Sequence, residues 1–400
     1  MITVIGYDAA PLRPAAAEAL ASAMLVVGGR RHLDESQLPA GARTIVLGDV
    51  RQAVAELVRH DADQLGDAVV LASGDPGFFG IVRRLRAAGA APVVHPAVSS
   101  VALAFARAGT PWDDALVVSA HGRDPRRALA VCRAAAPVAV LTDTVTGPAE
   151  VGRAVADTTR TLVVCERLGE PDERMSRLSP AEAARRDDWR DPNVVLVLDE
   201  SRRSGPAPGW IAGHRPLEGG WALPETAFEH RDQMITKVEV RALVLARLAP
   251  RLGCAVWDVG SGSGSVAVES ARLGSAVVAV ERDPQQRDRI EANARSLGVD
   301  VHVVTGAAPA ALDRLPKPDA VFVGGGGPEV VAAVADRAPD RVVAALATLE
   351  RVGPTYGALA AAGYRVDGVQ LQASRLTGLP AGGHRLAATN PVIVVWGERS

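Results

Sequence analysis

Lysine is nearly missing from this 400-residue chain: Lys237 and Lys317 stand alone, and arginine supplies the rest of the 44 basic residues. With 46 acidic residues the formal net charge is −2, so no overall field favours nucleic acid. Aromatic residues make up only 4%, which argues against the aromatic-rich basic surfaces that bind RNA or DNA. Cysteine is scarce too: Cys132, Cys165 and Cys254 lie far apart and form no C-x-x-C pair, which excludes a disulfide framework and a zinc site. No apolar run approaches the ~20 residues that span a bilayer. The N-terminus runs directly into Ile2-Thr3-Val4-Ile5 with no basic-plus-apolar leader. These absences lead to the expectation of a soluble, cytoplasmic protein with no metal, membrane or nucleic-acid partner.

What the chain does hold is alanine and valine, which dominate a hydrophobic fraction of 48%. Small apolar residues suit α/β layers in which helices pack closely on a sheet, and the length predicts two or three such domains. Apolar strands separated by helical stretches are expected at Ile2–Ile5, Met24–Val27, Thr44–Leu47, Ala68–Ala72 and Val93–His95. A second half-unit from about Gly109 has strands at Leu116–Ser119, Val138–Leu141, Thr161–Cys165 and Val194–Leu198. The first set is expected to build a mainly parallel sheet. Composition then shifts to glycine, proline and arginine, a linker signal. The expected division is residues 1–200 (lobes about 1–108 and 109–200), a linker over 201–223, and a third unit over 224–400.

The third unit carries the most informative stretch. The apolar run Val256-Trp257-Asp258-Val259 enters Gly260-Ser261-Gly262-Ser263-Gly264, and a helix begins directly after it. Strand, glycine loop and helix together present backbone N–H groups at the carboxyl edge of a sheet. The dinucleotide fingerprint spaces its glycines G-x-G-x-x-G, and here the third comes one residue early. The next strand, Ala276–Val280, ends in Glu281, placed to accept hydrogen bonds from ribose hydroxyls. That combination suits S-adenosylmethionine (SAM) better than NAD. Asp258 could fix the loop or face the methionine amine. In the first unit the corresponding loop is Ser73-Gly74-Asp75-Pro76-Gly77-Phe78-Phe79-Gly80, which a plain tight turn would also explain. Strands at Val301–Val304, Ala320–Val323 and Arg341–Ala347, and a closing antiparallel hairpin from Tyr364–Gln370 and Val392–Trp396, complete the third unit.

Longer phrases identify two families. Gly28-Gly29-Arg30-Arg31-His32, Ser73 to Gly80, Pro96 to Ala106 and Ser119-Ala120-His121-Gly122-Arg123 resemble the tetrapyrrole methylases that act on precorrin-6 or cobalt-precorrin-7. Phe228-Glu229-His230, Ile235-Thr236-Lys237-Val238-Glu239-Val240-Arg241, the central loop, Glu281-Arg282-Asp283-Pro284, Gly306-Ala307-Ala308-Pro309 and Phe322-Val323-Gly324-Gly325-Gly326 resemble decarboxylating precorrin C-15 methyltransferases. Together they resemble the fused, decarboxylating C-5,C-15 methyltransferases of cobalamin synthesis. The resemblance implies a two-lobed tetrapyrrole methylase fold followed by a Rossmann-like SAM-dependent methyltransferase fold. It also implies SAM as cofactor, a precorrin substrate and a homo-oligomer.

Residue by residue, it implies SAM contacts at Ser73, Gly74, Asp75, Ser99, Ser100 and Val101, less securely at Thr142, and in the C-terminal half at Thr236, Gly260, Ser261, Gly262, Ser263, Gly264, Glu281 and Ala308. The many carboxylates of such a substrate give Arg30, Arg31, Arg123, Arg231, Arg241 and Arg375 a candidate binding role. His121, His230 and Lys237 are candidates for proton transfer. One departure stands out: the loop Gly6-Tyr7-Asp8-Ala9-Ala10-Pro11-Leu12 keeps only Gly6 of the several glycines common at that position. A SAM-binding but non-catalytic N-terminal half, an RNA or protein methyltransferase and an NAD enzyme are the rival readings.

Overall fold

The computed structural model describes residues 1–122, 124–200, 212–213, 220–231, 235–380 and 382–399. Arg123, most of the expected linker and residues 232–234 lie outside them. Two compact units are present. Among the described residues no helix is long and apolar enough to cross a membrane.

The first unit holds two five-stranded sheets. In one, β1 (Ile2–Tyr7), β2 (Leu25–Gly28), β3 (Arg43–Val46), β4 (Ala68–Ser73) and β5 (Val93–His95) run parallel in the order β3-β2-β4-β1-β5. The inner strands are apolar on both faces because helices cover both. One face buries Ile2, Val4, Leu25, Val27 and Val70 against Leu57 and Leu85; the other buries Ile5, Val26, Val69 and Leu71 against Leu20 and Leu33. Each such side chain contributes ~1.5–3 kcal/mol. From β1 the chain crosses towards β2, and from β4 it crosses the opposite way to β5. Right-handed crossovers in opposite directions leave by opposite faces, which opens a crevice at the carboxyl ends of adjacent β1 and β4.

The second sheet contains β6 (Leu116–Ser119), β7 (Val138–Leu141), β8 (Thr161–Glu166), β9 (Arg174–Leu178) and β10 (Asn193–Leu198), in the order β6-β7-β10-β8-β9. This sheet, unlike the first, is mixed. Only β6 and β7 pair in parallel, while β10 is antiparallel to both its neighbours. Strand β9 has no apolar run to announce it. It is fixed to β8 by Arg174, whose guanidinium donates two bonds of 2.6 and 2.7 Å to the buried Glu166 carboxylate.

The second unit contains a seven-stranded sheet and a two-stranded ribbon, and the segments Asp124–Ala136 and Ala154–Thr159 also belong to it. Its strands are β11 (Ala255–Val259), β12 (Ala276–Glu281), β13 (His302–Thr305), β14 (Ala320–Val323), β15 (Arg341–Leu346), β16 (Arg365–Leu371), β17 (Ser374–Gly378), β18 (His384–Ala388) and β19 (Val392–Glu398). The main order is β13-β12-β11-β14-β15-β19-β16, with β19 antiparallel to β15 and β16 as the expected end hairpin. The ribbon β17–β18 between the two hairpin strands was not expected, and it exposes Leu376 and Leu386. Crossovers leave β11 towards β12 and β14 towards β15, so the second crevice lies between β11 and β14.

Candidate functional site

At the C-terminal crevice each loop glycine has its own physical reason. Gly260 adopts φ +72°, and a Cβ there would lie 2.7 Å from the Cα and N of Gly325, so two backbones touch across the crevice. Gly264 adopts φ +76°, and its Cβ would meet Ile290 at 2.9 Å, which lets the helix Pro284–Ser296 pack under the loop. Gly262 also has a left-handed φ, +58°, yet nothing lies within 4 Å of its absent Cβ. The first and last glycines are required by packing; the middle one faces open space.

Two acids hold this loop. Asp258, 1% exposed, accepts from Ser261 Oγ at 2.8 Å and from the Ala267 amide at 2.9 Å, both on Oδ2. Its other oxygen has no hydrogen-bond partner, and burial pushes the carboxyl up to about 7. Of the two roles considered for Asp258, fixing the loop is the one its contacts perform. Glu281 accepts from the Gly262 amide at 2.8 Å with Oε2, and from the Arg282 and Asp283 amides at 2.8 and 3.0 Å with Oε1. It therefore ties the end of β12 to the open middle of the loop. Ser263 is buried, with its carbonyl accepting from Asn293, and Ala308 is half-buried after β13.

Arg241 departs from its expected role. It is wholly buried: Nε donates to Glu269 at 2.7 Å, Nη1 to the Thr236 carbonyl at 2.7 Å, and Nη2 to the Leu223 carbonyl. Glu269 in turn accepts from the Ala222 and Leu223 amides at 2.7 and 2.8 Å. The pair is a strut that fixes the segment carrying Thr236, and it has no guanidinium edge left for a substrate carboxylate. Arg375 is likewise committed. It donates to the two oxygens of Glu239 at 2.9 and 2.7 Å, and to Glu225 at 2.7 Å. Those bonds hold its pKa above the ordinary value. Lys237 stands at the N-cap position of the helix Val238–Leu248 without a side-chain capping bond, His230 has a buried Nδ1 without a partner, and Arg231 is exposed, 3.8 Å from Asp283.

At the N-terminal crevice three loops converge. A Cβ on Gly6 would lie 2.3 Å from the Gly74 carbonyl oxygen and 2.5 Å from the Ala97 amide, so only glycine fits there. Gly74, with φ +59°, sits against Ser99 and Ser100. Ser73, Gly74, Ser99 and Ser100 are thereby brought together. Ser99 caps the helix Ser100–Ala108 through Oγ, Val101 is buried beneath it, and Asp75 accepts from the Gly77 amide at 2.8 Å. Asp8 bridges this edge, accepting from the Val98 amide at 3.1 Å and the Ala10 amide at 3.2 Å.

Arg30 is exposed, whereas Arg31 is held by Glu170 at 3.0 Å, which takes it from the set offered to substrate. Thr142 lies 2.6 Å from the Asn193 carbonyl and joins β7 to β10. His121 is exposed in a turn that Asp143 fixes through the Gly122 amide. Sequence reasoning missed two residues with a clear task at these crevices: Asp8 and Glu269. An acid placed among apolar residues of a helix, as in Val268-Glu269-Ser270-Ala271, was the legible signal for Glu269.

Residues 8–184 match the family of Tetrapyrrole (Corrin/Porphyrin) Methylases, and residues 226–396 match the Precorrin methyltransferase domain. A Sinorhizobium protein, precorrin-6Y C(5,15)-methyltransferase (decarboxylating), is 37% identical over 340 residues, 82% of this chain and 79% of its own. The cobalt-precorrin-7 C(5)-methyltransferase of Salmonella typhimurium is 37% identical over 210 residues, 50% of this chain and 100% of its own. A crystal structure of the C-terminal domain of precorrin-6Y C5,15-methyltransferase from Rhodobacter capsulatus is 36% identical, covering 44% of this chain and 97% of that one, with a TM-score of 0.39. The likeness to the Sinorhizobium protein runs through both matched segments in one continuous chain, and this chain belongs to the family of decarboxylating precorrin-6Y C(5,15)-methyltransferases.

Proposed function

We infer that this chain methylates a precorrin at C-5 and C-15 and removes CO₂ from its C-12 acetate, as a step of cobalamin synthesis. Residues 1–200 are assigned the C-5 transfer and residues 224–400 the C-15 transfer with decarboxylation, each with its own SAM. One observation carries the cofactor reading: the left-handed Gly262, open above, with its amide held by Glu281 between two glycines that packing requires. A cradle that a Cβ would fill, beside an acid suited to ribose hydroxyls, fits SAM.

When bound, SAM supplies a methyl already activated by its sulfonium, so no protein nucleophile is needed. The chain's task is orientation, which supplies roughly 7–11 kcal/mol when a reacting pair is held in line. Gly260 and Gly325 set the floor of the C-terminal crevice, and Arg241 with Glu269 fixes Thr236 at its entrance. For decarboxylation the conjugated imines of the macrocycle accept the electron pair. His230, with an unpartnered buried Nδ1, and Lys237 are the candidates for returning a proton to the resulting carbon. His121 holds the equivalent candidacy at the N-terminal site.

The test is the product mass after incubation with SAM and precorrin-6B. Two methyl gains with one CO₂ loss are expected. One methyl gain with CO₂ loss would favour a second reading, a non-catalytic N-terminal half, which the glycine-poor loop after β1 supports. No change in mass would overturn both.

A further inference from the structure

Behind Ser73 lies a cluster that the site described above leaves unused. His32 is 6% exposed in the short helix Arg30–Glu35, and its Nε2 is 3.1 Å from Ser73 Oγ and 3.3 Å from an Arg31 Nη2. Arg31 is anchored on its other side by Glu170, and the Tyr7 ring packs edge-on against the imidazole at 5.3 Å. The Nδ1 atom has no partner, so it does not decide the tautomer. Nε2 does. A guanidinium has donors only, so an N–H at Nε2 would donate to Ser73 Oγ and leave Arg31 Nη2 facing another donor. The tautomer bare at Nε2 satisfies both contacts, the two donors sharing its one lone pair, at the cost of an unpartnered Nδ1–H. In that tautomer Ser73 donates its hydroxyl proton to Nε2, because an unprotonated nitrogen can only accept. Burial, and then the neighbouring Arg31 charge, push the imidazolium pKa down to about 4, so the ring stays neutral.

A serine whose only proton is committed backwards presents nothing but lone pairs forwards. Ser73 is itself exposed, at the carboxyl end of β4 beside Gly74. We propose that Arg31 and His32 are positioning residues that orient Ser73 Oγ as a pure acceptor into the N-terminal crevice. There it receives the cationic part of SAM, either the ammonium or the methyl on sulfonium. Arg31 thus works through His32 rather than on a substrate carboxylate. The ligand named here rests on the SAM reading above; the tautomer does not.

Two measurements test it. In the full chain labelled with ¹⁵N-histidine, the His32 signal is assigned by its loss in His32→Gln. At neutral pH it should show a pyridine-type Nε2 and a pyrrole-type Nδ1. A protonated Nε2 would overturn the proposal without touching the SAM reading. The second measurement is the KM for SAM at each carbon of the precorrin, with C-15 methylation as the internal control. Ser73→Ala and His32→Phe should each raise the C-5 KM ~10–100-fold, the range for a hydrogen bond to a charged group. The double variant should do no more than either alone, since one bond is removed once. His32→Gln, which keeps an acceptor, should recover most of the loss.

Inhibition by S-adenosylhomocysteine separates the two cationic groups. Equal weakening in Ser73→Ala assigns the ammonium, and unchanged inhibition assigns the sulfonium methyl. Unchanged C-5 KM in both single variants would overturn the proposal. A wild-type chain that never methylates C-5 would instead remove the SAM reading at this crevice, leaving the NMR result to stand alone.

Discussion

Gly260 and Gly325 touch through bare backbone: a Cβ on the first would lie 2.7 Å from the Cα of the second. Two residues away, the same substitution at Gly262 would meet nothing within 4 Å. Gly260→Ala should therefore force the two loops apart and cost several kcal/mol, combining overpacking of ~1–3 kcal/mol with a left-handed alanine at ~1–2 kcal/mol. Gly262→Ala should bear only the second cost. Its added methyl fills the ligand side, so calorimetry should show SAM affinity at the C-terminal site falling at least ~tenfold, equivalent to ~1.4 kcal/mol. Thermal unfolding should separate the two variants in that order.

At the other crevice Gly6→Ala meets the Gly74 carbonyl at 2.3 Å and the Ala97 amide at 2.5 Å. C-5 methylation should be lost while C-15 methylation persists. Gly48→Ala is the control, because Gly48 also lies outside the left-handed region and an added Cβ there has no neighbour within 4 Å. Equal loss of C-5 activity in both variants would contradict the three-loop contact as the cause.

Removing one member of the Arg241–Glu269 pair leaves a buried charge without its partner, a change of ~3–5 kcal/mol. Arg241→Met and Glu269→Gln should each lower the urea midpoint accordingly. In Glu269→Gln the Ala222 and Leu223 amides lose half of their acceptor set, so proteolysis near residue 222 should accelerate as well.

Asp258 links stability to pH. Burial raises its pKa to about 7 from an ordinary 3.8, so over that interval the folded chain holds a proton that the unfolded chain has released. Its stabilising contribution is complete below the unfolded value and disappears as pH rises through the folded one. In Asp258→Asn the amide oxygen can accept the Ser261 and Ala267 bonds, and no proton is held. Urea midpoints should fall for the parent between about pH 4 and about pH 7, beyond any fall in the variant. Parallel profiles would show that Asp258 is ionised throughout.

Much of this was readable from residues alone, and the reasons are local. A strand buried on both faces must be a continuous apolar run, so β4, β11, β12 and β14 could be placed before any coordinates. A glycine that must adopt left-handed φ at a crevice leaves a pattern, as Gly260, Gly262 and Gly264 do. Strands β9, β17 and β18 leave none, because they bury little apolar surface and are held by backbone pairing and by side-chain pairs such as Arg174 with Glu166. The arginines were illegible because their partners lie far away in sequence. Nothing near Arg241 in the chain says that Glu269 waits for it, or that Arg375 will meet Glu225 and Glu239. Charge pairing is a property of the fold, whereas glycine patterning belongs to the chain.

The loop after β1, poor in glycine, is held by Asp8 through the Val98 and Ala10 amides, while the Asp8 carbonyl lies 2.9 Å from where a Cβ on Gly169 would be. A loop tied to Val98 on one side and packed against Gly169 on the other acts as a wall, ordered before any ligand arrives. Its conformational entropy is lost during folding, so little remains to be lost on binding. Such a wall selects by exclusion: a macrocycle whose substituents collide with it finds no alternative loop conformation to accept them. Discrimination among precorrins at this crevice then comes from the shape a candidate must avoid as much as from the contacts it gains.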